Sequence, residues 1–372
     1  MHPEAWIGLM SGTSLDGVDA VLALADGSGA LRGTGHVHHA FDPALRAELL
    51  ALNRNGADEL HRAALATNGL MRAYAAAVHE LLATRGGTAQ QVQAIGAHGQ
   101  TVRHRPGEFD GTGYTLQLMN GALLAELTGI AVACDFRSRD VAAGGQGAPL
   151  VPAFHAACFA QPGQAQAVLN VGGIANLTLL GADGTVGGFD CGPGNVLMDG
   201  WVQQCLGQPF DVGGSWAAQG RVHAGLLAVL RQEPFLALRP PKSTGRDLFT
   251  PDWLVQRLAA VGAGIEAADV MATLAEFTAL AAVEALRREA PGTARLVVCG
   301  GGAFNTHLMQ RLEALSGLPV LGSGELGVPP DQVEALAFAW LARARVRGEP
   351  GNLPAVTGAA GLRVLGALHP AR

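Results

Sequence analysis

The stretch that decides the fold is IGLMSGTSLDGVDAVLAL, residues 7–24, because a related pattern returns later in the chain as VLNVGGIANLTLL, residues 168–180. Each copy is a short apolar run, a tight turn of Gly, Ser, Thr or Asn, and a second apolar run. An Asp-Gly pair follows each copy, at 26–27 and at 183–184, and a third run comes after it. Asp-Gly between such runs is a strong signal for a β-hairpin. The sequence therefore predicts two related β-units, one in each half.

The glycine turns of the two copies, at 12–17 and at 172–173, are candidate phosphate sites. Backbone N–H groups in such turns form an anion nest, and glycine lets the chain approach phosphate oxygens closely. With one such turn in each half of the chain, a protein can hold a polyphosphate from both sides. An ordinary hairpin turn is the alternative for either turn alone. Neither turn is a Walker loop, because G-x-x-x-x-G-K-[ST] occurs nowhere in the chain.

Composition excludes several classes of protein. The 372 residues are 49% hydrophobic and 15% charged, which is typical of a well-buried globular protein with room for two domains. A net charge of −6 argues against a nucleic-acid surface, and no apolar run approaches the length of a membrane span. The first residues lack the basic segment of a signal peptide, and the five cysteines show no Cys-x-x-Cys spacing. We expect a cytoplasmic protein with reduced thiols and no disulfide or zinc framework.

Predicted strands and helices alternate, which favours an α/β fold. A helical period over 60–82 ends at Gly86-Gly87, and a strand follows at 92–97. The stretches 207–220 and 233–250 read as long surface connections. Ligands of α/β sheets bind beyond the carboxyl ends of the strands. The polar segments that directly follow predicted strands are 10–13, 98–100, 135–137, 172–176, 190–195 and 300–305.

Asp190 is the strongest candidate for a catalytic residue. It stands at a strand end, before two glycines and the start of a helix. Phosphoryl transfer needs positioning, metal charge and one carboxylate that accepts a proton from the nucleophile. The alternative is an Asp that shapes the turn before Gly-Pro. Asp16 and Asp199 are weaker candidates, and Asp16 could orient Mg²⁺ through water or only shape its turn.

Other polar or glycine-rich segments have two interpretations each. The turn at 300–302 allows close approach of a flat group such as adenine, or is only a tight strand-to-helix turn. The polar loop at 137–140 could grip a carboxylate or hydroxyls, or only be solvated. His98 and Gln100 could contact a ligand or be satisfied core residues. Glu334 could bind substrate or form a capping box with Asp331 at the start of the last major helix.

Long ungapped motifs identify the family that the chain resembles. They are GLMSGTSLDGVD at 8–19, AHGQTV at 97–102, DFR at 135–137, GGQGAPLVP at 144–152, NVGGIAN at 170–176, the segment 189–199, PKSTGR at 241–246 and EALAFAW at 334–340. These motifs closely resemble those of the bacterial anhydro-N-acetylmuramic acid kinases. One departure is Cys191, where the family usually has threonine. A thiol matches a hydroxyl in size but hydrogen-bonds weakly, so we expect altered efficiency at most.

The resemblance implies an actin-like (ribonuclease H-like) duplicated α/β fold with two domains flanking a nucleotide and substrate cleft. We expect residues 1–130, completed by 350–372, to form one domain and 131–349 the other. The resemblance also implies a homodimer that uses ATP, and the charge of the nucleotide implies Mg²⁺. In the implied reaction, water opens the 1,6-anhydro ring of anhydro-N-acetylmuramic acid while O6 is phosphorylated, a step of peptidoglycan recycling.

The family's site residues map onto this chain motif by motif. The resemblance implies that Asp190 activates the water. No ligand motif in the sequence predicts a side chain that ligates Mg²⁺ directly. The implied nucleotide-binding residues are Gly12, Thr13, Ser14, Leu15, Asp16, Gly17, Val18, Asp19, Gly172, Gly173, Gly300, Gly301 and Gly302. The implied residues for the amino-sugar substrate are His98, Gln100, Asp135, Arg137 and Glu334. Two other classes stay open, a non-catalytic actin-like assembly or sugar-sensing protein and a hexokinase-like enzyme that phosphorylates a free hydroxyl.

Overall fold

The structure is a computed structural model that describes residues 4–12, 15–26, 30–244, 248–262 and 264–371. Its strands are β1 (Ala5–Met10), β2 (Gly17–Ala25), β3 (Leu31–Ala40), β4 (Val92–Ala97), β5 (Gln100–Pro106), β6 (Gly113–Leu118), β7 (Val132–Cys134), β8 (Gln166–Val171), β9 (Ile174–Leu180), β10 (Val186–Pro193), β11 (Leu296–Cys299), β12 (Val320–Gly322) and β13 (Ala367–His369). Its helices are α1 (Pro43–Ala51), α2 (Glu59–Arg85), α3 (Gly121–Thr128), α4 (Ser138–Ala142), α5 (Val151–Phe159), α6 (Val196–Leu206), α7 (Ala224–Leu230), α8 (Pro234–Ala237), α9 (Pro251–Val261), α10 (Ala267–Glu289), α11 (Thr306–Ser316), α12 (Val333–Arg347) and α13 (Pro354–Thr357). The predicted α/β class is confirmed.

The first sheet has six strands in the order β13-β7-β4-β1-β2-β3. Strands β1, β2 and β3 form an antiparallel meander, whereas β4 runs parallel to β1 and β7 runs parallel to β4. A separate antiparallel hairpin of β5 and β6 follows β4. Helix α2 packs against β2 and β3 and buries Leu70, Met71 and Tyr74 completely. These side chains form the centre of the first core.

The second sheet repeats this order with five strands, β10-β9-β8-β11-β12. Strands β8, β9 and β10 form the antiparallel meander, and β11 and β12 continue parallel to β8. Helix α10 packs against β9 and β10 and buries Met271, Leu274 and Phe277. Apart from the edge strand β13, the order and directions of the strands are the same in both sheets, which confirms that the sequence repeat is a structural duplication of a ribonuclease H-like unit.

The chain divides into two compact units, Met1–Cys158 with Gln332–Arg372, and Phe159–Asp331. These boundaries differ from the expected ones at 130 and 349. Residues beyond 130 belong to the first unit because β7 pairs with β4 inside the first sheet. Residues before 350 belong to it because α12 packs on β1 and β4 of the same sheet.

Helix α12 lies against the first sheet at two glycines. A Cβ atom at Gly8 would stand 1.7 Å from the carbonyl oxygen of Ala335, and one at Gly96 would stand 1.9 Å from that of Phe338. Because real Cβ atoms do not approach so closely, the helix backbone rests directly on the backbone of β1 and β4. This approach also places the ring of Phe338 with its centroid 4.9 Å from that of His98.

The observed elements agree best with the predicted ones where the local sequence signal is strong. Strand β4 has the predicted bounds, and α2 ends at Arg85 with Gly86 in the left-handed region at φ 63°. The structure differs where the sequence pattern is weak. Strand β5 begins at Gln100, where we expected a turn, and α8 lies in the stretch 233–250, which we expected to be a surface connection.

The packing at Gly8 predicts a large loss of stability in Gly8→Ala. We expect the free energy of unfolding to fall by about 3 kcal/mol, because the new methyl group overlaps the backbone of α12. Urea denaturation followed by circular dichroism measures this loss. Gly200→Ala is the matched control, since a Cβ at that helical position meets open space. It should be neutral or stabilising by up to about 1 kcal/mol. Equal unfolding midpoints for Gly8→Ala and wild type would contradict the packing.

Candidate functional site

The turn after β1 is held by buried hydrogen bonds in the first unit. The Ser11 hydroxyl lies 2.6 Å from the Tyr74 hydroxyl and donates to the Gly99 carbonyl at 3.3 Å. The side-chain amide of Gln100 donates to the Gly12 carbonyl at 3.2 Å. Ser11 and Gln100 are both buried, so water does not compete for these bonds. The predicted phosphate turn is therefore fixed by the chain that follows β4.

In the residues that continue this turn, the backbone is strained at Leu15 and closely packed at Gly17. Thr13 and Ser14 lie outside the described residues. Leu15 is buried with φ at 56°, a left-handed conformation that is strained for a bulky side chain. A Cβ atom at Gly17 would lie 2.5 Å from the carbonyl oxygen of His39, so this glycine is needed for the pairing of β2 with β3. Packing alone accounts for Gly17.

The remaining predicted phosphate-turn residues, Asp16, Val18 and Asp19, have different surroundings. Asp16 is exposed, whereas Val18 is fully buried in the core, so the side chain of Val18 serves packing. The Oδ1 atom of Asp19 lies 3.0 Å from both Nε2 of His36 and Nδ1 of His38 on β3. Asp19 is therefore held by the neighbouring strand.

Arg137 is paired with a buried imidazole. Its Nε and Nη2 atoms donate to Nε2 of His98 at 3.1 and 3.0 Å, and its Nη1 donates to the Gly147 carbonyl at 2.7 Å. Burial, and then the positive charge of Arg137, lower the pKa of His98 to about 3. The ring is therefore neutral near pH 7 and can accept both bonds. The structure brings these two predicted substrate residues together, and a guanidinium is a group that suits carboxylates.

Asp135 lies in different surroundings. It is exposed, has φ at 57°, and accepts a hydrogen bond from the Ser138 hydroxyl. It lines a groove of about 770 Å³ together with Ser138 and Asn120. Within the described ranges, the residues that line this groove do not include His98 or Arg137. The role of Asp135 as a substrate residue thus stays a prediction.

Glu334 lies in the first turn of α12, but the capping box that we considered for it is wrong. The helix begins at Val333 with Gln332 as its N-cap, so Asp331 is not the capping residue. Sequence pattern alone misplaced the helix start because Asp is a preferred N-cap. Glu334 is half-buried and remains a candidate for substrate contact.

Asp140 has a structural role. Its Oδ1 accepts from Asn352 Nδ2 at 2.7 Å and from the Thr357 hydroxyl at 2.8 Å, and its Oδ2 accepts from the Gly147 N–H at 2.8 Å. The side chain is fully buried. These bonds join the glycine-rich loop to the C-terminal segment. Asp140 therefore supports the loop that Arg137 contacts and does not face a ligand.

The Gly172–Gly173 turn of the second unit is tied to the start of α6 through its carbonyl groups. The Gly172 carbonyl accepts from Asn195 N–H at 2.8 Å, and the Gly173 carbonyl accepts from Gly194 N–H at 2.9 Å and Val196 N–H at 3.1 Å. In a trans peptide the N–H points opposite to the carbonyl, so the Gly173 N–H points away from the helix. A Cβ atom at Gly172 would meet no atom closer than 3.6 Å. The turn therefore has the orientation and space that a phosphate group requires.

Asp190 is buried on β10, opposite Asn176 of β9. Its Oδ2 accepts the Thr244 N–H at 2.8 Å, and its own N–H donates to the Lys242 carbonyl at 3.2 Å. The neighbouring Cys191 thiol donates to a carbonyl of β9 at 3.3 Å, and burial raises the pKa of this thiol to about 12. The structure thus holds the candidate base in one orientation beside a neutral thiol.

Only one of the three glycines after β11 is exposed. Gly300 has φ at 77°, and a Cβ there would lie 2.4 Å from Oδ1 of Asn170. A Cβ at Gly302 would lie 2.4 Å from Cγ1 of Val171. Packing against the end of β8 therefore explains both glycines. Gly301 is exposed and leaves backbone open for a flat group.

Sequence reasoning missed the groups that hold these candidates. Gly194 and Asn195 were inside the quoted 189–199 motif, and Thr244 was inside PKSTGR, but none of them had an assigned role. Tyr74 offered no signal, because it lies 63 residues from its partner Ser11.

In the ranges that the structure describes, no group of three or more His, Cys, Asp or Glu side chains is placed to hold a metal ion. Nucleotide phosphates supply the oxygen ligands that Mg²⁺ prefers. Separately, no helix in that part of the chain is long and apolar enough to cross a membrane.

The fold and the turns define a class of protein. Two ribonuclease H-like units in one chain, each with a glycine turn directly after its first strand, form the duplicated fold of actin-like sugar kinases and ATPases. A buried carboxylate on the third strand of the second unit adds a candidate base. The class is therefore that of the actin-like proteins.

Comparison with known proteins gives the family within this class. The sequence model of the family "Anhydro-N-acetylmuramic acid kinase" matches residues 4–371. A protein of that name from Variovorax paradoxus is 61% identical, with 100% of both chains covered. Another, from Albidiferax ferrireducens, is 55% identical, with 99% of this chain and 100% of its own covered. The chain belongs to the anhydro-N-acetylmuramic acid kinase family, as its motifs predicted.

The solved structures that match are more distant. An activator of 2-hydroxyisocaproyl-CoA dehydratase from Clostridium difficile with bound ADPNP is 12% identical, with a TM-score of 0.46 and coverage of 92% of this chain and 96% of its own. The assignment of the fold therefore rests on the strand order of this chain.

The buried His98 predicts a pH-dependent stability. Its pKa is about 3 in the folded protein, whereas an unfolded imidazole titrates near 6.5. Between these values the unfolded chain binds a proton that the folded chain does not, so the free energy of unfolding falls as the pH falls. His98→Gln should reduce the loss between pH 7 and pH 5 by on the order of 2 kcal/mol. Urea denaturation at both pH values measures this.

The exposed His79 supplies the control for this measurement. His79→Gln should keep the wild-type loss of stability between pH 7 and pH 5. If His98→Gln also keeps the full wild-type loss, the buried neutral imidazole is ruled out.

Proposed function

We propose that this protein is an ATP-dependent kinase that opens the 1,6-anhydro ring of anhydro-N-acetylmuramic acid with water and phosphorylates O6. The products are N-acetylmuramic acid 6-phosphate and ADP. This is a cytoplasmic step of peptidoglycan recycling and amino-sugar catabolism. The observation that carries the proposal is the buried carboxylate of Asp190, fixed by the Thr244 N–H, in a chain of this family.

Asp190 acts as the general base in this proposal. Its carboxylate removes a proton from a water molecule, and the water oxygen bonds to C1 of the sugar. The bond from C1 to O6 breaks, and O6 takes the γ-phosphoryl group of ATP. One proton acceptor therefore serves two bond changes, because the departing oxygen is itself the phosphate acceptor. The fixed orientation of the carboxylate supports this role, since general-base catalysis depends first on geometry.

The phosphate groups of ATP are assigned to the two glycine turns. In the second unit, the Gly172–Gly173 turn has its carbonyls bound to the start of α6 and space at Gly172. In the first unit, the turn at Gly12 is fixed by Gln100, and Asp16 is exposed at its end. Mg²⁺ bound to the nucleotide would neutralise phosphate charge during transfer. The exposed backbone of Gly301 is assigned to the adenine.

The sugar is assigned to residues of the first unit. Muramic acid carries a lactyl carboxylate, and the Arg137 guanidinium suits such a group. The neutral ring of His98 holds this guanidinium through two hydrogen bonds. Glu334 and Asp135 remain proposed contacts to the sugar.

Asp190→Asn tests the role of the base. We expect kcat to fall by about 10²- to 10⁴-fold, because the amide cannot accept the proton of the water. The Kd for ATP, measured by calorimetry, should stay near the wild-type value. Asp183→Asn is the control, since Asp183 is an exposed carboxylate at the turn between β9 and β10. Wild-type turnover in Asp190→Asn would exclude the role.

Two other functions differ in what they predict for the product. A hexokinase-like enzyme would yield a phosphorylated sugar with its anhydro ring intact. A non-catalytic actin-like assembly would bind ATP, sediment as a polymer and show no sugar-dependent ADP release. The Asp190 carboxylate favours catalysis over assembly, because assembly needs no base.

The family resemblance also supports a homodimer as the state in solution. Analytical ultracentrifugation measures the mass directly, against 38.1 kDa for one chain. A monomer at micromolar concentration would contradict this part of the proposal.

A further inference from the structure

Lys242 is the single lysine of a chain that carries 24 arginines. It is also buried, with only 6% of its surface exposed. A buried ammonium group loses its hydration and needs polar partners to offset that loss. Arginine is the ordinary cation of this chain, so a lone buried lysine points to a task that suits a compact point charge.

The ammonium group fastens its own segment to α8. Its Nζ donates to the carbonyl of Phe235 at 3.0 Å and to that of Leu236 at 3.3 Å. It also lies 4.5 Å from the ring centroid of Phe235 and 5.8 Å from that of Phe189. Two carbonyl oxygens and the aromatic faces all attract a positive charge. These contacts therefore anchor the side chain of Lys242 against α8.

The same segment is bound to Asp190 at two places. The Lys242 carbonyl accepts the Asp190 N–H at 3.2 Å, and the Thr244 N–H donates to Asp190 Oδ2 at 2.8 Å. The donor that orients the carboxylate thus lies two residues from the anchored ammonium. Loss of the anchor would free the Thr244 N–H to move away from the carboxylate.

Electrostatics couples Lys242 to its charged surroundings. Burial, and then the charge of Arg288, lower the pKa of Lys242, while Cys191, Glu289 and Asp190 act in the opposite direction. Arg288 also donates to the Leu236 carbonyl at 3.3 Å. Because attraction between charges is mutual, an ammonium that Asp190 stabilises also favours the ionised form of that carboxylate.

We propose that Lys242 is a positioning residue for the base: it holds the Thr244 N–H against Asp190 and supplies a positive charge that keeps the carboxylate ionised. This inference rests on the proposed function, in which Asp190 accepts the proton of the water. Lys242 itself acts through the backbone and through its charge.

Because Lys242 is the single lysine, its electrostatic coupling to Asp190 can be measured directly. Protein labelled with [ε-¹³C]lysine, and expressed without a lysine-containing tag, gives one protein lysine signal whose pH titration reports the pKa of Lys242. Asp190→Asn should lower that pKa, because it removes a negative charge that favours the ammonium form. The exposed-carboxylate variant Asp183→Asn should leave it unchanged. An unchanged pKa in Asp190→Asn overturns the inference.

The kinetic test uses Lys242→Met, which keeps the length of the side chain and removes its charge. We expect kcat to fall by about 10- to 100-fold through loss of alignment, with the KM for ATP unchanged. The acid limb of the kcat/KM profile should move to higher pH, because the positive charge that favours the ionised carboxylate is lost. Lys242→Arg keeps the charge and should restore the acid limb, but only part of kcat.

Arg311→Met provides the control for lost stability. Arg311 donates two hydrogen bonds to Glu276 between α11 and α10, so its loss destabilises the same unit without touching the 241–244 segment. Lys242→Met that folds with wild-type kcat, or with an unchanged acid limb, overturns the inference. If it does not fold, the lysine titration decides alone. That titration needs no sugar or nucleotide, so an unchanged lysine pKa in Asp190→Asn contradicts this inference but not the proposed function. Wild-type turnover in Asp190→Asn would contradict the proposed function.

Discussion

Direct contact between the backbone of α12 and strands β1 and β4 is the constraint on which the first unit depends. Only glycine at positions 8 and 96 permits it, because any Cβ atom there would overlap a helix carbonyl. The contact brings the ring of Phe338 against His98, whose neutral imidazole holds Arg137. A packing requirement in the sheet thus determines where the candidate sugar-binding cation lies.

The second unit fixes its candidate base by a different means. Asp190 takes its place from strand pairing, and its orientation from a loop more than fifty residues later in the chain. That loop is anchored by the buried ammonium of Lys242. The turn at 172–173 is likewise held by the amides that open α6. Backbone groups, supported by a few buried side chains, therefore hold the candidate base and the candidate phosphate turn.

Local sequence signals predicted the duplicated units, α2 with its glycine cap, and β4. These signals failed for a strand that carries charged side chains and for contacts between residues that are far apart in the sequence. Strand β5 carries Arg103 and Arg105 and reads as a loop, although Arg103 is paired with Glu59 at 2.6 Å. The glycines at 300 and 302 read as a ligand turn, but Val171 and Asn170 explain them by packing. The bond from Thr244 to Asp190 joins residues 54 apart and has no signature in spacing.

The reaction itself is tested most directly in ¹⁸O-labelled water. If Asp190 activates a water that attacks C1 while O6 takes the phosphoryl group, early-quenched N-acetylmuramic acid 6-phosphate should carry the label at C1 and none in the phosphate ester. Early quenching is needed because the free anomeric hydroxyl exchanges slowly with solvent. Mass spectrometry with fragmentation locates the label. A phosphorylated product with an intact anhydro ring, or with no label at C1 at early times, would contradict the account.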